Sequence, residues 1–355
     1  MRHTTVLLIA VTMLTASCSS GTTDTTAVEA EPTTIASMVT TTVPETTTTV
    51  DQATTTALAS ESGVIIAKDI VYLEMNGDQY LVDVYVPPGV GPWPVVVALH
   101  GGTVYKNDSF TTRVAIAAAE AEMLVFTPNW VAKWPPLPAM NAEFIQSTLP
   151  ALECSLAYAQ QEAAGYGGDP TRTVVYGSSA GATSGAGLVL GLTAEIPPGC
   201  LAQVPPTAPV GAVLGDAEYF LHGTWWDGAF DQDAEEMQAL VAGTVDPASW
   251  PTDMTTRFHL WAAAAGSFPR SLDDPWEEGG WFALRDPDGT IREDLDEIGE
   301  LDDGVISYVD AGLLLASRLH HAGIDVSFEI FPGDHATSLP VPELVAFLLD
   351  AAGTD

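Results

Sequence analysis

Beyond residue 63 the hydrophobic residues fall into short runs separated by turn signals, and the runs are of two kinds. Val71–Met75 and Tyr80–Val86 read as strands, and the Asn76-Gly77 pair between them is a strong hairpin signal. Pro94–Leu99 is a continuous apolar run, the pattern of a strand buried on both faces, and Met123–Thr127 reads the same way. Thr173–Tyr176, Val210–Leu214, Phe258–Ala262 and Val326–Phe331 complete the expected strands. Between them, Phe110–Glu122, Ile145–Ala163, Ser179–Leu192, Ser307–His321 and Pro340–Leu349 read as helices. A leading hairpin followed by alternating strands and helices predicts an α/β fold with a mostly parallel sheet and helices on both faces.

The N-terminal part has a different texture. Met1-Arg2-His3 is a short basic start, and Val6–Leu14 is apolar but shorter than the roughly 20 residues of a membrane span. The small residues Thr15-Ala16-Ser17 then lead to Cys18, which is the layout of a secretory signal over residues 1–17. A cysteine directly after small residues resembles a bacterial lipobox, which implies acylation of Cys18 and a membrane tether. Thr15 departs from that pattern, since such boxes most often carry Leu there, and an ordinary signal cut near Ser17 or Ser20 is the alternative. The expected location is therefore outside the cytoplasm, as a cell-surface lipoprotein or a secreted protein. Residues 18–62 are rich in Thr and lack aromatics, too poor in apolar surface to offset chain entropy, so they are expected to form a disordered stalk. The folded domain is expected from Gly63 onward, over residues 63–355.

Charge narrows the function classes. The 355 residues carry 47 acidic against 11 basic side chains, a formal net charge of −36. Such a field repels phosphate backbones, so nucleic acid is excluded as a partner. The acidity is read as a solvated surface. Apart from Cys18 there are two cysteines, Cys154 on a helix before the Thr173 strand and Cys200 after the following helix. An even pair in an exported chain points to a disulfide, with two buried free thiols as the alternative.

The chemistry centres on Gly177-Ser178-Ser179-Ala180-Gly181. This G-x-S-x-G sequence directly follows an expected strand and directly precedes an expected helix, the context of a nucleophile elbow, with Ser179 as nucleophile. The turn is so tight that only small residues fit two places either side of the serine, and the helix N-terminus beneath favours developing negative charge. Upstream, Gly101-Gly102 closes the strand that begins at Pro94, where glycines let backbone N–H groups approach a ligand. With the N–H of Ala180, Gly101 or Gly102 would supply an oxyanion hole. The base is expected after the last strand, and Phe331-Pro332-Gly333-Asp334-His335 presents a histidine there. Of the remaining histidines, His100 reads as a loop-shaping residue, His259 as core, and His320 and His321 as helix C-terminal cations. His222, near Trp225 and Trp226, is expected to line a substrate pocket; core packing is the alternative for the two tryptophans.

Tyr85-Val86-Pro87-Pro88 ahead of Val95–Gly102 resembles the start of many α/β-hydrolase carboxylesterases. Tyr166–Arg172 leading into Tyr176–Gly181 resembles the nucleophile region of the carboxylesterase and hormone-sensitive-lipase-like group. The resemblance covers roughly Val71–Gly187 and, more loosely, Ala311–Ala336; Thr103 departs from it, standing where the hormone-sensitive-lipase group often has a third glycine. It implies an α/β-hydrolase fold and hydrolysis of a small or polymer-borne ester with neither organic cofactor nor metal. In that fold the acid comes between serine and histidine in chain order, after the penultimate strand. Here the strand Phe258–Ala262 is followed by Gly266-Ser267-Phe268-Pro269, with no carboxylate. Asp302 is the first choice, because Asp302-Asp303-Gly304-Val305 resembles the family's step into the next helix. Asp303 and Asp216, the latter at the end of the Val210–Leu214 strand, are the alternatives, with Asp273-Asp274 as a further set closer to the Phe258–Ala262 strand. Segments 216–255 and 267–301 would then be cap insertions over the site. An exported peptidase on the same fold, or an impaired hydrolase scaffold serving as a surface binding protein, are the alternative functions.

Overall fold

The computed structural model describes residues 57–59, 62–102, 105–131, 142–193, 195–217, 219, 250–251, 253–264, 308–333, 335 and 340–354. All of these fall in the compact unit Thr49–Asp355. Its frame is a nine-stranded sheet of β1 (Ala57–Ala59), β2 (Ile65–Met75), β3 (Asp78–Val86), β4 (Trp93–Leu99), β5 (Leu124–Pro128), β6 (Gly168–Ser178), β7 (Gly211–Gly215), β8 (Arg257–Ala263) and β9 (Val326–Phe331). Its spatial order is β1-β2-β3-β5-β4-β6-β7-β8-β9. β1 to β3 pair antiparallel with their neighbours, and the ladders from β5 through β9 are all parallel.

The expected hairpin is present. Met75 pairs with Asp78 around a two-residue turn whose residues Asn76 and Gly77 have φ of 55° and 85°. Two positive φ values are what a twist-matched type I′ turn demands, which is why Asn-Gly serves there. β1 is an addition: its residues fall in the expected stalk, yet they pair with Ile65–Ala67 of β2. β6 also begins earlier than its apolar run, because Gly168 and Asp169 pair with Trp93 and Pro94 ahead of an irregularity in the ladder.

Every residue of β4 is buried, as its unbroken apolar run requires. The pleat sends Val95, Val97 and Leu99 to one face and Val96 and Ala98 to the other. The first face is covered by α2 (Ala142–Glu162), α3 (Ala180–Leu190) and α4 (Tyr308–His321), through residues such as Leu152, Leu188 and Leu315. The second is covered by α1 (Ser109–Glu120) and α5 (Val341–Ala351), through Val114, Ala118, Leu344 and Leu348. Helices on both faces of a mostly parallel sheet match the sequence expectation. Cys154 of α2 and Cys200, on the chain after α3, form a disulfide. Cys200 also bridges to Leu73 of β2, so the post-α3 segment is fastened covalently to α2 and by backbone pairing to the antiparallel side of the sheet.

Candidate active site

The carboxyl ends of β4, β6, β7 and β9 share one edge of the sheet, and four segments of interest leave from them. Register fixes their neighbourhood: Leu99 lies opposite Gly177, and Ser178 opposite Gly215.

Ser179 sits between β6 and α3 with φ 55° and ψ −130°, a strained conformation for a residue with a side chain. The surrounding packing imposes it. A Cβ on Gly177 would come within 2.3 Å of the Gly181 carbonyl oxygen, and one on Gly181 within 2.3 Å of the Leu99 oxygen. Both glycines are therefore needed for the turn to close against the end of β4. Ser179 occupies the N-cap of α3 but makes no side-chain capping bond; its carbonyl accepts from the N–H groups of Ala182 and Thr183 instead. A serine at an N-cap ordinarily turns its hydroxyl back to the helix. This one does not.

Gly101 lies against the elbow: a Cβ built on it would be 3.7 Å from the Cβ of Ser179 and 3.6 Å from the Ser178 oxygen. Gly102 follows at the start of a turn, and Ala180 opens α3, where N–H groups have no intrahelical acceptor. His100 is fully buried, stacked on Trp130 at 5.1 Å, with Nδ1 bonded to the Gly101 carbonyl at 2.8 Å. Burial lowers its pKa to about 4, so it is neutral at ordinary pH and shapes the loop, as expected.

Asp216 follows β7 with φ 56° and is 1 % exposed. Its Oδ1 accepts from the N–H of Ala263 at 3.0 Å, and its Oδ2 meets Nδ1 of His335 at 2.7 Å. The backbone ties this group to the elbow, since the Ser179 N–H donates to the Gly215 carbonyl at 3.0 Å. It ties it to β8 as well, through Asp216 N–H to the Trp261 carbonyl at 2.8 Å. Gly215 is small because Trp261 fills the space beside it; a Cβ there would fall 2.1 Å from the indole. His335 stacks on Tyr308 at the start of α4, ring centroids 4.5 Å apart. Its partly exposed ring is thus gripped by a carboxylate at one nitrogen and an aromatic face.

Of the five acids weighed from sequence, Asp216 alone falls among the described residues, and it meets His335. Asp302 and Asp303 lie outside the described residues, as do Asp273, Asp274, His222, Trp225, Trp226, Cys18 and nearly all of the two expected cap segments. His259 is a buried core residue, as expected, held by Ser327 and Asp350 and stacked on Phe347. His320 and His321 end α4. Sequence reasoning missed Tyr308 and Trp130; each follows or opens an expected element, but nothing local marks which ring it will meet.

Residues 82–196 match the model of the BD-FAE family, an α/β-hydrolase esterase family. No curated protein matches the chain significantly. Among solved structures, the esterase LipW of Mycobacterium marinum is similar at 21% identity, over 82% of this chain and 83% of that one, with a TM-score of 0.50. Apo esterase 2 of Thermogutta terrifontis is similar at 13% identity, over 81% and 94%, with a TM-score of 0.52. A butyrate-bound form of the same esterase aligns at 15% identity, over 81% and 94%, with a TM-score of 0.51. The sheet order, the elbow between β6 and α3 and these likenesses together identify the fold of the chain as the α/β-hydrolase fold.

Proposed function

We propose that this protein is a carboxylic ester hydrolase working through Ser179, His335 and Asp216. The observation that carries the reading is the 2.7 Å bond between His335 Nδ1 and buried Asp216, on the same sheet edge as a strained serine elbow. With Nδ1 donating its proton to the carboxylate, Nε2 keeps a lone pair and serves as the base. Ser179 Oγ attacks the ester carbonyl and gives its proton to Nε2. The oxyanion is held by the N–H of Ala180 and that of Gly101 or Gly102, each such donor contributing about 3 kcal/mol to the transition state. His335 returns the proton to the departing alcohol, leaving an acyl group on Ser179. Water then attacks, again with His335 as base, and releases the acid.

The BD-FAE match and the esterase neighbours support this substrate class, and the butyrate held by the Thermogutta terrifontis enzyme points toward short acyl chains. The protein acts outside the cytoplasm, tethered through an acylated Cys18. The signal-like N-terminus and the Cys154–Cys200 disulfide support an oxidising compartment. The test is hydrolysis of p-nitrophenyl acetate, butyrate and octanoate by the full chain beside Ser179→Ala. Turnover by the wild type that disappears in Ser179→Ala is expected. A folded wild type that hydrolyses none of the three overturns the proposal.

A further inference from the structure

The loop that offers Gly101 and Gly102 is held at both ends by two consecutive residues at the exit of β5. Trp130 Nε1 donates to the His100 carbonyl at 3.1 Å and stacks on the same residue's ring. Next to it, Asn129 Oδ1 accepts from the Lys106 N–H at 2.7 Å, while its own N–H donates to Leu81 at 2.7 Å and its carbonyl accepts from the Tyr72 hydroxyl at 2.9 Å. Asn129 is therefore fixed to both β2 and β3 before it touches the loop.

Lys106 completes the arrangement. Its side chain is 7 % exposed, and its ammonium pairs with Asp83 of β3, itself 1 % exposed, and with Asp69 at 2.9 Å. An irregularity in the β2–β3 ladder between Ala67 and Ile70 lets the Asp69 N–H donate to the same Asp83 oxygen at 2.8 Å. The chain has only 11 cationic residues against 47 acidic ones, so a cation buried in a loop is not spare charge. A buried ion pair is weak as a source of stability, because desolvation offsets much of the attraction. What it supplies is geometry: Lys106 is tied at once by its ammonium to Asp83 and by its backbone N–H to Asn129, which restrains where this end of the loop can sit.

We propose that Lys106 is a positioning residue for the oxyanion hole. It rests on the ester-hydrolase reading above. Anchored to Asp83 and Asn129, Lys106 fixes the downstream end of the loop while Trp130 fixes the upstream end. The N–H groups of Gly101 and Gly102 then need no reorganisation when the tetrahedral oxygen forms. Displacement of such donors by about 1 Å can cost on the order of a hundredfold in rate.

The decisive variant is the neutral pair Lys106→Met with Asp83→Asn. Met keeps the apolar stem, and Asn keeps an acceptor for the Asp69 N–H, so no buried charge is stranded and the fold should hold. With p-nitrophenyl butyrate, kcat is expected to fall about ten- to a hundredfold with KM within roughly threefold and the melting temperature within a few degrees of wild type. Amide hydrogen exchange in the peptide spanning Leu99–Tyr105 should quicken while that in α3 stays unchanged. A residue that only supported the fold would leave kcat intact once stability is regained. A double variant that melts like the wild type and keeps kcat within twofold overturns the proposal. Should the wild type hydrolyse no ester, the functional reading is what fails, and exchange alone decides the clamp: unchanged rates at Leu99–Tyr105 overturn it, faster ones uphold it.

Discussion

Asn at position 216 would keep the shape of the carboxylate and remove its charge and one acceptor. The two oxygens of Asp216 have separate partners, the Ala263 N–H at 3.0 Å and His335 Nδ1 at 2.7 Å. Asn offers one acceptor and one donor. If its oxygen serves Ala263, its NH₂ faces Nδ1, and the ring proton must move to Nε2, the atom that has to accept the proton of Ser179. If the amide turns the other way, a buried N–H is stranded at about 1–3 kcal/mol. The first state is the cheaper and it is the inactive tautomer. The same exchange in Ser-His-Asp enzymes lowers kcat roughly 10⁴-fold, about 5 kcal/mol of barrier at about 1.36 kcal/mol per decade. A loss of about 10³- to 10⁴-fold is expected here with p-nitrophenyl butyrate and the full chain, while Asp302→Asn and Asp303→Asn stay within about threefold of wild type. An Asp216→Asn enzyme within tenfold of wild type, beside an Asp302→Asn enzyme that has lost a thousandfold, would refute the reasoning and return the acid to Asp302.

Gly181→Ala should be far more damaging than an ordinary helix substitution. Its Cβ would sit 2.3 Å from a backbone oxygen at the end of β4, and a loss above about 3 kcal/mol in urea denaturation is expected; a wild-type midpoint would contradict the packing argument. Replacing both Cys154 and Cys200 by Ala opens a loop with a sequence separation of 46, worth up to about 4 kcal/mol by chain entropy, so the variant should melt lower and dithiothreitol should shift the wild type but not the variant. His100 has a pKa near 4 in the folded protein, below its ordinary value, so the unfolded chain binds its proton first as pH falls. Its contribution is present above about pH 6.5 and is lost toward pH 4, about 3 kcal/mol in all. In a His100→Asn variant the fall in stability over that interval should be shallower than in wild type; identical slopes would argue against a buried neutral ring.

Much of the frame was legible because its signals are local. Asn76-Gly77 specifies its own turn, the Pro94–Leu99 run needs two covered faces, and Gly177–Gly181 between strand and helix encodes its own geometry. The early start of β6 was hidden because Gly168 and Asp169 have no strand character; they are recruited by Trp93 and Pro94 across the ladder. The acid was ambiguous for a related reason. A carboxylate at the end of an apolar strand is a common pattern in so acidic a chain, and what singles out Asp216 is a partner 119 residues away. The same holds for Lys106, whose counter-charge at Asp83 lies 23 residues upstream on β3. Linear spacing carries no information about which strands will become neighbours.

The Ser179 N–H and the Gly215 carbonyl share one hydrogen bond, so Ser179 and Asp216 leave adjacent strands as a single stiff unit. On the triad proposed above, proton transfer needs nothing from the stretch between β8 and α4, residues 265–307. On that assignment, descendants of such a protein can lengthen, shorten or exchange that stretch without retuning the reaction itself. For an engineer, it is then the natural graft point, with Ser179, Asp216 and His335 left as they stand from one variant to the next.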